Sequence, residues 1–414
     1  MVTEAALMRF AEDFGTPLYV FDTRELSPRV RRISDALPSG TCLCYAVKAN
    51  TFVLGALAGL VTRLEVCSPG EQRICRALGV PEAQLVVSGV SKDPAALGEA
   101  LSARELPAAV TVESTSQLGL VRSLAAERGR RAPVLLRLSS GNQFGLDRAD
   151  LLRAARDLAD DPCLELRGVQ FFSGTQKGSA RRLRRELAGL DALMLELGLA
   201  CGRPLPELEY GPGLPVAYFD GGAVDEGELL AALSEGIEGL SCRAHVTLEL
   251  GRSLVAGCGT YLTRVTDTKT VAGQRYAIVD GGMHQIVYYG QSLAMRRPPV
   301  RLLGGPCGEG DGERDLGTRN VPGHAPGDAP AWNVCGSLCT VNDILAKQLP
   351  LPGLAEGSLL AFGRAGAYCA TEGMSLFLSR DLPRVVLVGA DGTPELVRAG
   401  VRTDPLNTPC PDRS

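Results

Sequence analysis

The stretch Pro38-Ser39-Gly40-Thr41-Cys42-Leu43-Cys44-Tyr45-Ala46-Val47-Lys48-Ala49-Asn50 reads as a turn leading into a short apolar strand that ends on a lysine. An ammonium at the inner end of a buried strand is out of place, because such groups are almost never fully buried without a partner. Lys48 is one of only five lysines against 38 arginines, so it does not belong to a solubilising crowd. Arginine carries charge; lysine, with a pKa that burial can lower, also condenses with an aldehyde to a Schiff base. A lysine snorkelling from a strand end is the blander reading of this segment alone. The pattern downstream weighs against it.

From about residue 24 to 255, short apolar runs alternate with amphipathic segments. The strand-like runs are 43–47, 63–67, 85–88, 109–112, 134–138, 168–172, 207–210 and 245–250. Between them, Leu183, Leu187, Leu190, Leu193 and Leu197 recur at helical spacing. Eight strand–helix pairs over this length predict a (β/α)8 barrel spanning 24–255, with an open doubly wound sheet as the other solution. Residues 4–14 read as a helix and 17–22 as a strand. After Arg252 the helical pattern stops, and 259–270, 276–279, 359–362 and 384–388 read as strands separated by turns. An all-β second domain over 256–402 is expected, with residues 1–23 contributing. Residues 304–330, dense in Gly, Pro and Asp, read as a long loop. Residues 403–414 read as a poorly ordered tail.

The net charge of −4 and pI near 5.7 argue against a nucleic-acid surface. The densest basic run, Arg181-Arg182-Leu183-Arg184-Arg185, reads as a solvated helix face. The N-terminus lacks the basic region and apolar core of a secretion signal, and no apolar run reaches the ~18 residues of a membrane span. Thirteen cysteines form no regular framework. These features predict a cytoplasmic protein whose cysteines are mostly small core residues. The three histidines are widely separated and no Cys/His cluster has zinc spacing, so no metal is expected.

In a barrel, chemistry sits at the C-terminal ends of the strands. Lys48 ends the first strand. Gly174-Thr175-Gln176 follows Phe171-Phe172, Gly211-Pro212-Gly213 follows Leu208-Glu209-Tyr210, and Glu249-Leu250-Gly251-Arg252-Ser253 ends the last. Glycine loops and an arginine at strand ends can cradle a phosphate through backbone N–H groups. A lysine, a phosphate cradle and a carboxylate on one face describe a pyridoxal 5'-phosphate site.

Over nearly its whole length the chain resembles the fold-type III pyridoxal-phosphate decarboxylases, the group of ornithine, arginine and diaminopimelate decarboxylases. Tyr45-Ala46-Val47-Lys48-Ala49-Asn50 resembles the cofactor-lysine motif, and Glu249-Leu250-Gly251-Arg252 the Glu-Pro-Gly-Arg segment. Gly336-Ser337-Leu338-Cys339, with Asp343 following, resembles the catalytic cysteine motif, and Gly366-Ala367-Tyr368 the tyrosine segment. The resemblance implies that Lys48 holds the cofactor and Glu249 faces its pyridine nitrogen. It implies that Thr175, Gly211, Gly213, Arg252 and Tyr368 hold the phosphate, with Gly251 and Arg137 further cofactor-site residues. Cys339 would return a proton to Cα, entering the site from a partner subunit, so a homodimer is implied.

Three departures bear on function. Phe172 stands where the family carries a histidine stacked on the cofactor ring, keeping a flat face and losing a titratable group. Pro212 removes an N–H donor from the phosphate loop. Thr340 stands where ornithine and diaminopimelate decarboxylases carry an acid that reads the substrate's distal ammonium. A hydroxyl cannot balance a buried ammonium. Either another acid takes over, Asp343 or Glu372, or the substrate has no distal ammonium.

A natural-product branch of the family, acting on glutamyl or methylaspartyl groups tethered to an acyl-carrier protein, shares Cys339-Thr340 and Gly174-Thr175-Gln176. The main expectation is therefore a decarboxylase of such a tethered group, with Thr340 and Asp343 lining the substrate and Arg296-Arg297 as a rim for the acidic carrier. The alternative is a decarboxylase of free diaminopimelate, ornithine or lysine. A racemase, or a non-catalytic protein of the antizyme-inhibitor kind, agrees less with Glu249, Cys339 and an intact set of site residues.

Overall fold

The computed structural model describes residues 2–219, 224–304 and 330–409. In chain order its strands are β1 (Leu18–Asp22), β2 (Cys42–Ala46), β3 (Arg63–Val66), β4 (Leu85–Val87), β5 (Ala109–Val112), β6 (Ala132–Leu138), β7 (Leu164–Phe172), β8 (Glu207–Gly211) and β9 (His245–Leu250). They continue with β10 (Gly259–Val271), β11 (Gln274–Val279), β12 (Val300–Leu303), β13 (Ala331–Cys335), β14 (Ile344–Pro350), β15 (Leu359–Phe362), β16 (Arg384–Val388) and β17 (Pro394–Arg398). The chain divides into two units: Ser27–Val216 with Val224–Leu254, and Met1–Leu26 with Ala217–Ala223 and Val255–Ser414.

The first unit is a closed parallel barrel, β2 through β9 in order, with β9 pairing back on β2 so that Cys44 lies opposite Glu249. Its helices start alike. Ser68, Asp93, Ser114, Asp147, Ser179 and Asp225 each stand at an N-cap and accept a backbone N–H three residues on. The leucines at 183, 187, 190, 193 and 197 are all buried on one face of the helix Ala180–Ala200. The barrel interior is not wholly apolar. Glu65, Gln170, Glu209 and Thr247 are each 1–2% exposed.

The second unit is mainly sheet, as the sequence predicts. Its strands run β14-β13-β11-β10-β1-β16-β17, and β15 joins β10 to β12. β1 pairs antiparallel with β10 and parallel with β16. The helix Glu4–Phe14 packs Leu7, Phe10 and Ala11 against Leu18, Val20, Leu262, Leu359 and Val386 of that sheet.

Strands β12, β13, β14 and β17 are absent from the sequence reading. β14 has Gln348 at φ +52 and ends on Pro350, β17 opens on Pro394, and the β13–β14 pairing is broken by register shifts. The tail also differs: Asp404–Asn407 forms a short helix, and Thr403 is buried with its hydroxyl on the Arg380 carbonyl. The long loop expected over 304–330 lies, apart from its ends, outside the described residues. No helix among the described residues is long and apolar enough to cross a membrane. Nor do they contain a group of three His, Cys, Asp or Glu that could hold a metal.

Candidate active site

Lys48 does not lie in the strand itself but in the single turn Val47–Ala49 that follows β2, at the C-terminal end of the barrel. Its Nζ donates to Glu65 Oε2 at 2.6 Å and lies 3.9 Å from Glu249 Oε1 and 3.5 Å from Cys67 Sγ. Glu65 on β3 is buried, and burial works against its ionisation, but the Lys48 ammonium outweighs that and holds it below its ordinary pKa. Glu65 and Glu249 share a hydrogen bond. Burial first, then the Glu65 charge, push Glu249 up to about 7. Gln170 Nε2 donates to Glu249 Oε2 at 2.7 Å.

Around this cluster, Glu71 accepts the Cys67 N–H at 2.6 Å. Arg137, at the end of β6, is bonded to Glu113 at 3.3 Å and stacks its guanidinium on Phe144. Burial lowers Lys92 to about 8 against the opposing charge of Glu113; its ammonium is bonded to the Gly89 carbonyl.

The two glycine loops meet backbone to backbone. Gly174 has φ +125 and Gly213 φ +62, and a Cβ on Gly213 would stand 2.1 Å from the Gly174 carbonyl oxygen. A Cβ on Gly211 would stand 2.6 Å from the ring of Phe172. Gln176 bridges to Val216, accepting its N–H and donating to its carbonyl. The Lys177 N–H bonds the Gly213 carbonyl at 2.9 Å, while its buried ammonium bonds Glu186 at 2.7 Å. Arg252 is buried just past β9.

Sequence reasoning placed Lys48, Arg137, Phe172, Thr175, Gly211, Gly213, Glu249, Gly251 and Arg252 at this barrel end. It missed Glu65, Gln170, Glu71, Lys92 and Lys177. The signal for Glu65 was present: a carboxylate inside the apolar run 63–67 needs a cation.

Cys339, Thr340, Asp343 and Tyr368 belong to the second unit. Cys339 is exposed in the turn after Gly336-Ser337-Leu338. Asp343, expected against the substrate, is instead committed to its own fold. Its Oδ1 accepts the Met283 N–H at 2.7 Å and its Oδ2 the Leu338 N–H at 2.8 Å. A Cβ on Gly282 or Gly336 would stand 2.6 or 2.2 Å from its carboxylate oxygen, so glycine is required at both. Tyr368 holds φ +63, a conformation costly for a side chain with Cβ, and its carbonyl accepts the N–H groups of Thr371 and Glu372.

Residues 23–256 match the family "Pyridoxal-dependent decarboxylase, pyridoxal binding domain". The chain is 33% identical to the diaminopimelate decarboxylase of Pseudomonas aeruginosa, over 95% of its own length and 92% of that protein. It is 29% identical to the diaminopimelate decarboxylase of Neisseria meningitidis serogroup B, over 88% of this chain and 86% of that one. The chain belongs to the pyridoxal-dependent decarboxylase family; it is a carboxy-lyase that uses pyridoxal 5'-phosphate. Among solved structures, the Helicobacter pylori diaminopimelate decarboxylase complexed with L-lysine shares the fold at a TM-score of 0.81 and 22% identity, covering 97% of this chain and 98% of that one. The Vibrio vulnificus lysine/ornithine decarboxylase complexed with putrescine does so at 0.74 and 22%, covering 89% and 93%.

The residues present fit the cofactor: the glycine loops meet where no Cβ would fit, Lys48 would serve for attachment and Glu249 would face the ring nitrogen. When bound, pyridoxal phosphate supplies the electron sink for the charge left on Cα as carbon dioxide departs.

Proposed function

We propose that this chain removes the α-carboxyl group of a free diamino acid of the diaminopimelate, lysine or ornithine class. The supporting observation is the likeness to diaminopimelate decarboxylases, 33% identity over 95% of the chain. The site agrees with the chemistry. Glu65 holds the Lys48 amine in place, and Gln170 orients Glu249 for the ring nitrogen. Cys339 is exposed beside Val341, itself 87% exposed, which agrees with a role of returning a proton to Cα in the site of a second copy, the active form then being a homodimer.

One observation favours a second reading, an aminoacyl group tethered as a thioester to an acidic acyl-carrier protein. Thr340 supplies no charge, and Asp343, the nearest acid in sequence, has both oxygens engaged by backbone N–H groups. A distal ammonium buried there would lack a counter-charge, at a cost of several kcal/mol. Arg296 and Arg297 are exposed and could meet an acidic carrier.

Carbon dioxide release decides between the two. The panel is free diaminopimelate, lysine and ornithine beside glutamyl and methylaspartyl thioesters on a phosphopantetheinyl carrier. Release from a free diamino acid supports the main reading. Release from thioesters alone overturns it and makes Thr340 a specificity residue.

A further inference from the structure

Inside the barrel, on the strand beside Gln170, lies a carboxyl group that the reaction as described does not use. Glu209 of β8 is 1% exposed, and neither of its oxygens has a hydrogen-bond partner. An ionised carboxylate left in that state would pay a large desolvation cost. Arg63 Nη1 lies 3.9 Å from Glu209 Oε2, but its hydrogen bond goes to Glu207 at 2.8 Å. The other titratable groups that face Glu209 are Glu249, Glu65, Glu207 and the buried thiol of Cys44. Every charge among them except that of Arg63 opposes its ionisation.

The complementary group is on the neighbouring strand. Gln170 of β7 is the register partner of Glu209. Side chains so paired on one face of a parallel sheet stand ~5 Å apart. Gln170 donates through Nε2 to Glu249 Oε2, while its own Oε1 is buried without a partner. One residue lacks an acceptor for an acid proton and the other lacks a donor. Rotation of the terminal carboxyl, a soft torsion, is the motion that would bring an acid O–H onto that oxygen.

We propose that Glu209 is held as a neutral acid whose O–H donates to Gln170 Oε1, locking the amide so that Nε2 faces Glu249. Glu209 is then a positioning residue that acts on Glu249 through Gln170. Without the lock the amide is free to turn over and present its oxygen to Glu249, an arrangement only a protonated Glu249 satisfies. With the lock Glu249 receives a donor, which favours the carboxylate that must face a protonated ring nitrogen. The inference rests on the family role of Glu249 and not on the identity of the substrate.

The test is infrared difference spectroscopy of the cofactor-free chain carrying carboxyl-labelled glutamate, with Glu209→Gln, Glu209→Leu and Gln170→Leu variants. The expected result for the unaltered chain is a protonated-carboxyl band that survives above the pH at which Glu249 ionises, and Glu209→Gln removes it. Glu209→Leu raises the Glu249 midpoint by about one pH unit, since one lost buried hydrogen bond is worth roughly tenfold. The conservative Glu209→Gln, whose amide N–H can donate in place of the O–H, restores the midpoint. Combining Glu209→Leu with Gln170→Leu adds nothing to Gln170→Leu alone. Absence of the surviving band, its retention in Glu209→Gln, or an unmoved Glu249 midpoint in Glu209→Leu overturns the proposal. Should Glu209→Leu fail to fold, the unaltered chain and Glu209→Gln still decide it. These readings need neither substrate nor cofactor, so they stand or fall apart from the proposed function.

Discussion

Replacing Lys177 by methionine should loosen the two glycine loops and weaken the hold on the cofactor phosphate. The Lys177 side chain is 1% exposed; its ammonium bonds Glu186 at 2.7 Å, Ser173 Oγ at 3.0 Å and the Gly211 carbonyl at 3.3 Å. Together with its N–H on Gly213, it ties one loop to the other through both backbone and side chain. Methionine keeps the stem and deletes the charge. Removing one partner of a buried pair costs ~3–5 kcal/mol when the other charge is left alone. Glu186 is not left alone, because Arg182 Nε at 2.9 Å, Tyr210 OH at 2.6 Å and Ser173 Oγ at 2.6 Å still donate to it. The expected loss is therefore about 2–3 kcal/mol. For a unit of this size that lowers Tm by roughly 5–10 °C.

The effect carries a pH dependence. Burial alone would raise Glu186, but its donors, Lys177 foremost, overturn that and hold it at about 2. Its folded pKa lies below the unfolded value of 4.5, so its stabilisation is complete above that pH and is lost as pH falls towards 2. In Lys177→Met the folded value rises, so the gap in Tm between the two proteins narrows across that window. Thermal melts at pH about 7 and about 3, with cofactor affinity from a fluorescence titration, test this. A variant that melts within about 1 °C of the parent at neutral pH, or binds pyridoxal phosphate as tightly, would refute the reasoning.

In the cofactor-free chain Glu249 is raised to about 7, so its stabilisation is whole below its unfolded value of 4.5 and is lost as pH rises through about 7. Glu249→Gln should flatten that fall, and parallel urea-midpoint curves for the two proteins would contradict it. Gly213→Ala should lower cofactor affinity more than Gly211→Ala: its methyl would stand 2.1 Å from a backbone oxygen at φ +62, whereas Gly211→Ala meets at 2.6 Å a Phe172 ring that can turn. Equal dissociation constants would sink that ordering. Asp343→Asn points an amide N–H at a backbone N–H of Met283 or Leu338 and should cost the second unit roughly 1–3 kcal/mol. A raised KM with an unchanged melt would instead mean that Asp343 reads the substrate.

The barrel was legible because strands covered on both faces read as mainly apolar runs: Leu85–Val87 is wholly apolar, and Ala109–Val112 and Ala132–Leu138 are interrupted only by Thr111 and by Arg137. Edge strands carry the opposite marks: β14 holds Lys347 and Gln348 and ends on proline, so its pattern resembles a loop. Lys48 announced itself by rarity and place. Lys177 did not, because its meaning depends on Glu186 nine residues on and on Gly211, 34 residues away. Motif matching also drew attention to strand ends, where the family resemblance puts the cofactor, and away from strand interiors.

Those interiors hold the charge balance of the site. Glu65, Glu249 and Glu209 converge in a water-poor space, with the Lys48 ammonium directly on Glu65 and Arg63 bonded to Glu207. Three carboxylates cannot ionise together around one ammonium. Glu65 takes the negative charge because Lys48 is 2.6 Å away, Glu249 is raised to about 7, and Glu209 is pushed towards the acid form by burial and by both neighbours. The barrel is therefore one positive charge short at Glu249. A protonated ring nitrogen against that carboxyl, as the family resemblance implies, would supply the missing charge, so the interior that looks over-acidic by itself agrees with the cofactor that the family carries.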